Sequence, residues 1–251
     1  NNVDIREFMI IPPNKFNFKD GLMKSVEVYT NLKSLLKEKG LSVSVGDEGG
    51  FAPNLKTSEE VLDLIILSIE RAGLIYLDDM SIALDCAASE LFSKDSYKLT
   101  GENKKFSSEE MIVYMQALVD KYEIKSVEDP FDEKDWDAWK TFTKNNNDLQ
   151  IVGDDIFVTQ EKILRKGIDS KVANSILVKL NQVGTLSETM QAISLAKNSG
   201  YKTVISHRSG ETEDSFIADL AVAVDAGQIK TGAPARSCLL YTSDAADDVA
   251  S

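Results

Sequence analysis

Five short apolar runs in this chain each end in a reactive side chain. They lead into Asp85, Glu128, Asp154, Lys179 and His207, the last being the sole histidine among 251 residues. The runs are nearly continuous rather than alternating, as strands buried on both faces of a parallel sheet are. Helical segments lie between them, so the chain is constrained to repeated βα order. One reactive group at the end of each of several strands is how an α/β barrel assembles an active site. An open doubly wound sheet is the other arrangement that fits the pattern.

The helical segments are legible from periodicity and end signals. Phe18–Lys39 carries Leu22, Val26, Tyr29, Leu32 and Leu36 at a spacing near 3.6, and Gly40 follows as a stop. Thr57 with Glu60, and Ser107 with Glu110, read as capping boxes opening helices at about 61–71 and 111–121. Further helices are expected at 133–144, 160–166, 187–198 and 214–225. Strands are expected at 7–11, 81–85, 124–128, 149–154, 175–180 and 202–207, with a weak one near 228–231. That is about seven strands where a complete barrel has eight.

Composition narrows the function classes. Asp and Glu number 41 against 28 Lys and Arg, for a net charge of −13. That balance argues against a nucleic-acid partner, whose phosphates need neutralising cations. No apolar stretch approaches the ~20 residues of a membrane span. Cys86 and Cys238 give no disulfide framework, so a reducing compartment is expected. Cys86 reads as a small buried residue, and Trp136 and Trp139 as packing.

Asp85, Glu128 and Asp154 at three strand ends suit a hard divalent cation such as Mg²⁺. A lysine facing that cation, Lys179, reads as a base. For each carboxylate alone, the plain alternative is a cap on the next helix. Asp129 and Asp155, beside these residues, read as supports or caps.

These endings lie inside longer strings: EFMIIP at 7–12, VGDEGGFAPN at 45–54, ALDCAASE at 83–90, SVEDPF at 126–131, IVGDD at 151–155, LVKLNQVGTLSET at 177–189, SHRSGETED at 206–214 and IKTGAPARS at 229–237. Together, in this order, they resemble the enolase family from about Val3 to Ser237. The resemblance implies an enolase-type (β/α)8 barrel over 1–237 and Mg²⁺-dependent dehydration of 2-phosphoglycerate to phosphoenolpyruvate. It implies Asp85, Glu128 and Asp154 as metal ligands and Lys179 as the general base. It implies Glu48 as the acid assisting loss of hydroxide, with Glu7 as a second carboxylate at that step. It implies His207, Arg208 and Ser209 against the substrate phosphate, and Lys230 against its carboxylate. In the family the strand bearing Glu7 runs antiparallel to the rest, which explains a glutamate that precedes its apolar run. A cytoplasmic homodimer or higher oligomer, with no nucleic-acid partner and no membrane span, is implied for the parent polypeptide. The rival readings are an inactive short paralogue and a surface plasminogen-binding protein. A cell-surface or extracellular location is the secondary possibility.

The chain departs from the family's pattern in three ways. The family's smaller N-terminal domain and first barrel strand have no counterpart here. Arg6 replaces the usual glutamine, and it is expected either to pair with Glu7, holding it ionised, or to point away. The match stops at Ser237, where the family continues into a closing helix. The tail Cys238–Ser251 resembles translated adapter sequence and is expected to be foreign to the protein. A barrel without those pieces leaves an unpaired edge, so the segment alone is expected to fold poorly or aggregate.

Overall fold

The computed structural model describes residues 2–210 and 212–235. The tail expected to be foreign lies outside the described residues. In chain order the strands are β1 (Glu7–Ile11), β2 (Ser81–Asp85), β3 (Tyr97–Leu99), β4 (Lys104–Phe106), β5 (Ser126–Glu128), β6 (Gln150–Gly153), β7 (Ser175–Val178), β8 (Lys202–Ser206) and β9 (Ile229–Lys230). The helices are α1 (Phe18–Glu38), α2 (Ser58–Arg71), α3 (Ser108–Tyr122), α4 (Trp136–Asn145), α5 (Glu161–Ser170), α6 (Leu180–Val183), α7 (Leu186–Asn198) and α8 (Phe216–Ala223).

Seven strands form one sheet in the order β1-β2-β5-β6-β7-β8-β9. β1 pairs antiparallel with β2, and every other pairing in this sheet is parallel. The sheet curls strongly. Lys230 on β9 lies 3.2 Å from Glu7 on β1, whereas six strand spacings in a flat sheet would separate them by roughly 29 Å. At the far end of the strands, Gln150 and Gln228 exchange two amide hydrogen bonds of 2.8 Å across the interior. These contacts exclude the open doubly wound sheet. Among the described residues β1 and β9 do not pair, so the sheet is an incomplete barrel.

Alternation of side chains builds two layers. Ile82, Leu84, Val127, Ile151, Ile176 and Ile205 belong to the main core shared with the helices. Val152, Leu177 and Val204 make a smaller apolar cluster of their own. They alternate with the outward set and lie two residues before Asp154, Lys179 and Ser206. They therefore belong to the inward face of the sheet, below those strand-end residues.

The expected end signals operate. Ser107 and Glu110 form a complete capping box at α3. At α2, Thr57 accepts the N–H of Glu60, but Glu60 reaches back to Lys56, one residue before the cap. Gly40 and Gly73 follow α1 and α2 with φ of 69° and 75°, a conformation that glycine adopts without a Cβ penalty. α4 begins at Trp136, later than expected, because Asp135 caps it and Asp132 accepts the N–H of Lys134 in the preceding turn. α5 runs on through Gly167 to Ser170. The β3–β4 hairpin and the single turn of α6 went unread, being too short to carry a periodic signal. Trp139 is fully buried with its indole N–H on Asp132 O, and Cys86 is buried, as expected.

Candidate active site

Register brings the first carboxylates level. Glu7 lies opposite Asp85, and Asp85 lies beside Glu128. The antiparallel direction of β1 is what puts the start of that strand next to the ends of the others. Asp154 follows one residue after β6. Asp129, with φ of 43°, turns its carboxylate to accept the N–H groups of Asp154 and Asp155 at 2.9 and 2.8 Å. Its role is support for that turn.

A cavity of about 360 Å³ opens at these strand ends. Every site residue singled out in the sequence lines it except Glu128, which lies just beneath and connects to it through Lys230. Lys230 Nζ lies 3.0 Å from Asp85 and 3.2 Å from each of Glu128 and Glu7. Lys179 Nζ lies 2.5 Å from Asp154 Oδ2. Two residues missed in the sequence complete this corner. Gln182 donates to the other oxygen of Asp154 at 2.9 Å, and the Thr159 hydroxyl, 2.6 Å from the Gln182 side-chain oxygen, also accepts the N–H of Lys179 at 3.0 Å. Gln182 follows Lys179 by one helical turn, the spacing that could have flagged it.

On the opposite wall, Ser209 donates to Glu48 Oε1 at 2.7 Å, and Ala233 N–H donates to the Glu48 carbonyl at 2.9 Å. His207 Nε2 is 3.2 Å from Glu48 Oε2 but out of line for an N–H bond. Both ring nitrogens of His207 are buried without a hydrogen-bond partner. Buried orphan nitrogens of this kind call for a polar ligand group, since leaving them unmet is costly. Arg208 donates to Asn181 at 2.9 Å from the cavity rim. Arg6 lines the cavity but pairs with Glu90 rather than with Glu7.

Burial and crowding set the protonation of the site. Burial, then the Glu48 hydrogen bond and nearby acids, raise the Glu7 carboxyl to about 8 against the pull of Lys230. Burial would raise Glu48 as well, but contacts from His207, Glu7 and Ser209 outweigh it and hold Glu48 low. Burial and Asp85 push Glu128 up, and burial and Asp154 push Asp129 up. Burial disfavours charge on Lys230, but Glu128, Asp85 and Glu7 keep its ammonium firmly protonated.

The profile described as the enolase C-terminal TIM barrel domain matches residues 1–242. An enolase from Natranaerobius thermophilus is 55% identical over 237 residues, which is 94% of this chain and 56% of that protein. The chain belongs to the enolase family. It spans about half the length of the relative it matches.

The donor set fits the hard divalent cation that the family implies. Asp85, Glu128 and Asp154 offer oxygen ligands only, are each under 5% exposed, and are met by ammonium groups rather than apolar neighbours. Among the described residues a different trio, Asp129, Asp154 and Asp155, has carboxylate oxygens within 4.8 Å of one another. Asp129 already has both oxygens on backbone N–H groups. That leaves Asp154 as the member common to both sets.

Proposed function

We propose that this chain is the barrel portion of a Mg²⁺-dependent lyase that dehydrates 2-phosphoglycerate to phosphoenolpyruvate in glycolysis, and runs the reverse in gluconeogenesis. The observation that carries the reading is the pairing of Lys179 and Lys230 with strand-end carboxylates inside one cavity. A proton beside a carboxylate is very weakly acidic, so its removal needs concentrated positive charge around the substrate carboxylate. Asp85, Glu128 and Asp154 would hold the cation, which when bound would supply positive charge against the developing carboxylate charge. Lys230 adds a fixed ammonium at the same place.

Lys179 takes the C2 proton. The C3–O bond then breaks, its electrons leave with the hydroxide, and the C2 electron pair forms the double bond. Departure as water requires one more proton. Glu7, raised to about 8, carries that proton at neutral pH, while Glu48 is the ionised partner that accepts its hydrogen bond. This refines the reading of Glu48 as the acid: the two carboxyls act as one proton-carrying pair. His207, Arg208 and Ser209 supply donors for the phosphate, and Arg suits it through its planar fork. The parent polypeptide is read as a cytosolic homodimer or larger assembly.

Lys179→Ala in the full-length polypeptide tests the reading. Turnover should fall by about 10²–10⁴-fold, the usual contribution of a positioned general base. Turnover within tenfold of the parent overturns it. Binding of plasminogen with no turnover in the parent would favour the surface-binding reading instead, and neither activity the inactive paralogue.

A further inference from the structure

Glu48 stands at the tip of a loop closed on itself. Val45 and Phe51 bridge antiparallel, Gly46 N–H donates to Gly50 O at 2.9 Å, and Gly49 N–H donates to Gly46 O at 3.0 Å. Gly49 has φ of 82°, and Gly50 follows it. Two adjacent glycines make this the part of the loop with the most backbone freedom to lose. The contacts from Ser209, Ala233 and His207 all fall on Glu48 itself, those of Ser209 and His207 from the cavity side. None of them reaches the glycines.

The glycine side is held by Tyr29 on α1. Its hydroxyl donates to Gly49 O at 2.8 Å, and its ring stacks on Phe51 with centroids 4.3 Å apart at 19°. Tyr29 therefore touches both the residue next to Glu48 and the residue that closes the loop. It does not line the cavity.

We propose that Tyr29 is a positioning residue for Glu48. Its hydroxyl fixes the Gly49 peptide, and its ring fixes the loop's closing residue, so that the Glu48 carboxylate meets Glu7 without first paying for loop order. The claim rests on the proposed role of the Glu7–Glu48 pair in the loss of hydroxide. It predicts an effect confined to that step, because Lys179 lies on another strand end and owes nothing to this loop.

The two steps can be read separately in the full-length polypeptide. Exchange of the C2 hydrogen of 2-phosphoglycerate for deuterium reports Lys179, and appearance of phosphoenolpyruvate reports the pair. Tyr29→Phe keeps the ring and removes the donor. It should lower product formation about three- to tenfold, the worth of one neutral hydrogen bond, while C2 exchange stays at the parent rate. Amide exchange across residues 45–51, followed by mass spectrometry without substrate, should quicken. Unchanged product formation overturns the proposal, as does an equal fall in both steps or an unchanged amide-exchange rate. Glu48→Gln is the separate control. If it forms product at the parent rate, the reading of the pair fails, whereas the amide exchange of Tyr29→Phe still reports whether Tyr29 holds the loop.

Discussion

Glu7 and Glu48 line the same cavity, and their carboxyls are driven in opposite directions by their surroundings. Burial and the neighbouring acids raise Glu7 to about 8, while His207, Glu7 and Ser209 overcome burial to hold Glu48 low. Interacting carboxyls titrate as a pair, and ionising one disfavours ionising the other.

That arrangement has a pH signature. A carboxyl whose folded pKa is raised above its unfolded value binds more protons when folded, so its contribution to stability is full below the unfolded pKa. The contribution is lost as pH rises through the folded pKa. For Glu7 the window runs from its ordinary value of 4.5 to about 8. Glu7→Gln has no proton to lose. Its melting temperature, relative to the parent, should therefore rise steadily between pH 5 and pH 8. Parallel melting curves for the two proteins across that range would refute the protonated assignment.

Lys230 reaches three carboxylates at 3.0 to 3.2 Å and is largely buried. Removing one partner of a buried ionic cluster leaves uncompensated charge behind, at a cost of about 3–5 kcal/mol. Lys230→Met should lose about that much in denaturant unfolding without divalent cation. Millimolar Mg²⁺ should then restore part of the loss, because a ligand that binds the folded state adds stability by mass action. Restoration by Mg²⁺ but not by equal ionic strength of NaCl would show that the carboxylates, once freed, hold the cation.

Much of this site was legible in the sequence, and for a stated reason. Strand ends are where a parallel sheet exposes side chains, so Asp85, Glu128, Asp154 and Lys179 announced themselves as breaks in apolar runs. Glu7 did not follow that rule, because β1 is antiparallel, and its register opposite Asp85 could be read only through the family resemblance. Gln182 was signalled only by its spacing from Lys179, and Tyr29 read only as part of a helical stripe. Their hydrogen bonds to Asp154 and to Gly49 are set by tertiary packing. The β3–β4 hairpin was lost for a different reason: three-residue strands are too short to show alternation.

Arg6 separates a charge effect from a contact effect. Its partner Glu90 is 66% exposed and Arg6 itself 42% exposed, so the pair is solvent-screened and contributes at most about 1 kcal/mol. Yet Arg6 lines the cavity and faces Asp85, Glu90, Asp155 and Glu7. Arg6→Gln should leave the unfolding midpoint nearly unchanged while tightening Mg²⁺ binding about two- to fivefold in calorimetric titration at low salt. The difference should shrink at 0.5 M NaCl, where the Debye length falls well below 10 Å. Equal Mg²⁺ affinity at both salt concentrations would place Arg6 outside the cavity's electrostatics.

Phe157 is wedged between two glycines, and that contact decides the sign of a helix substitution. A Cβ on Gly167 would lie 2.4 Å from Phe157 Cε1, and one on Gly153 would lie 2.5 Å from Cδ2. Gly167 sits inside α5, where alanine would ordinarily gain about 1 kcal/mol of helix propensity. Overpacking a filled core costs about 1–3 kcal/mol. Phe157 is fully buried and hemmed in from both sides, so it has nowhere to retreat and the steric term wins. Gly167→Ala should therefore destabilise the protein despite its better propensity. Adding Phe157→Leu should recover stability relative to Phe157→Leu alone, because the smaller side chain vacates the space the methyl group needs. A double-mutant cycle with no coupling between the two positions would rule out the wedge.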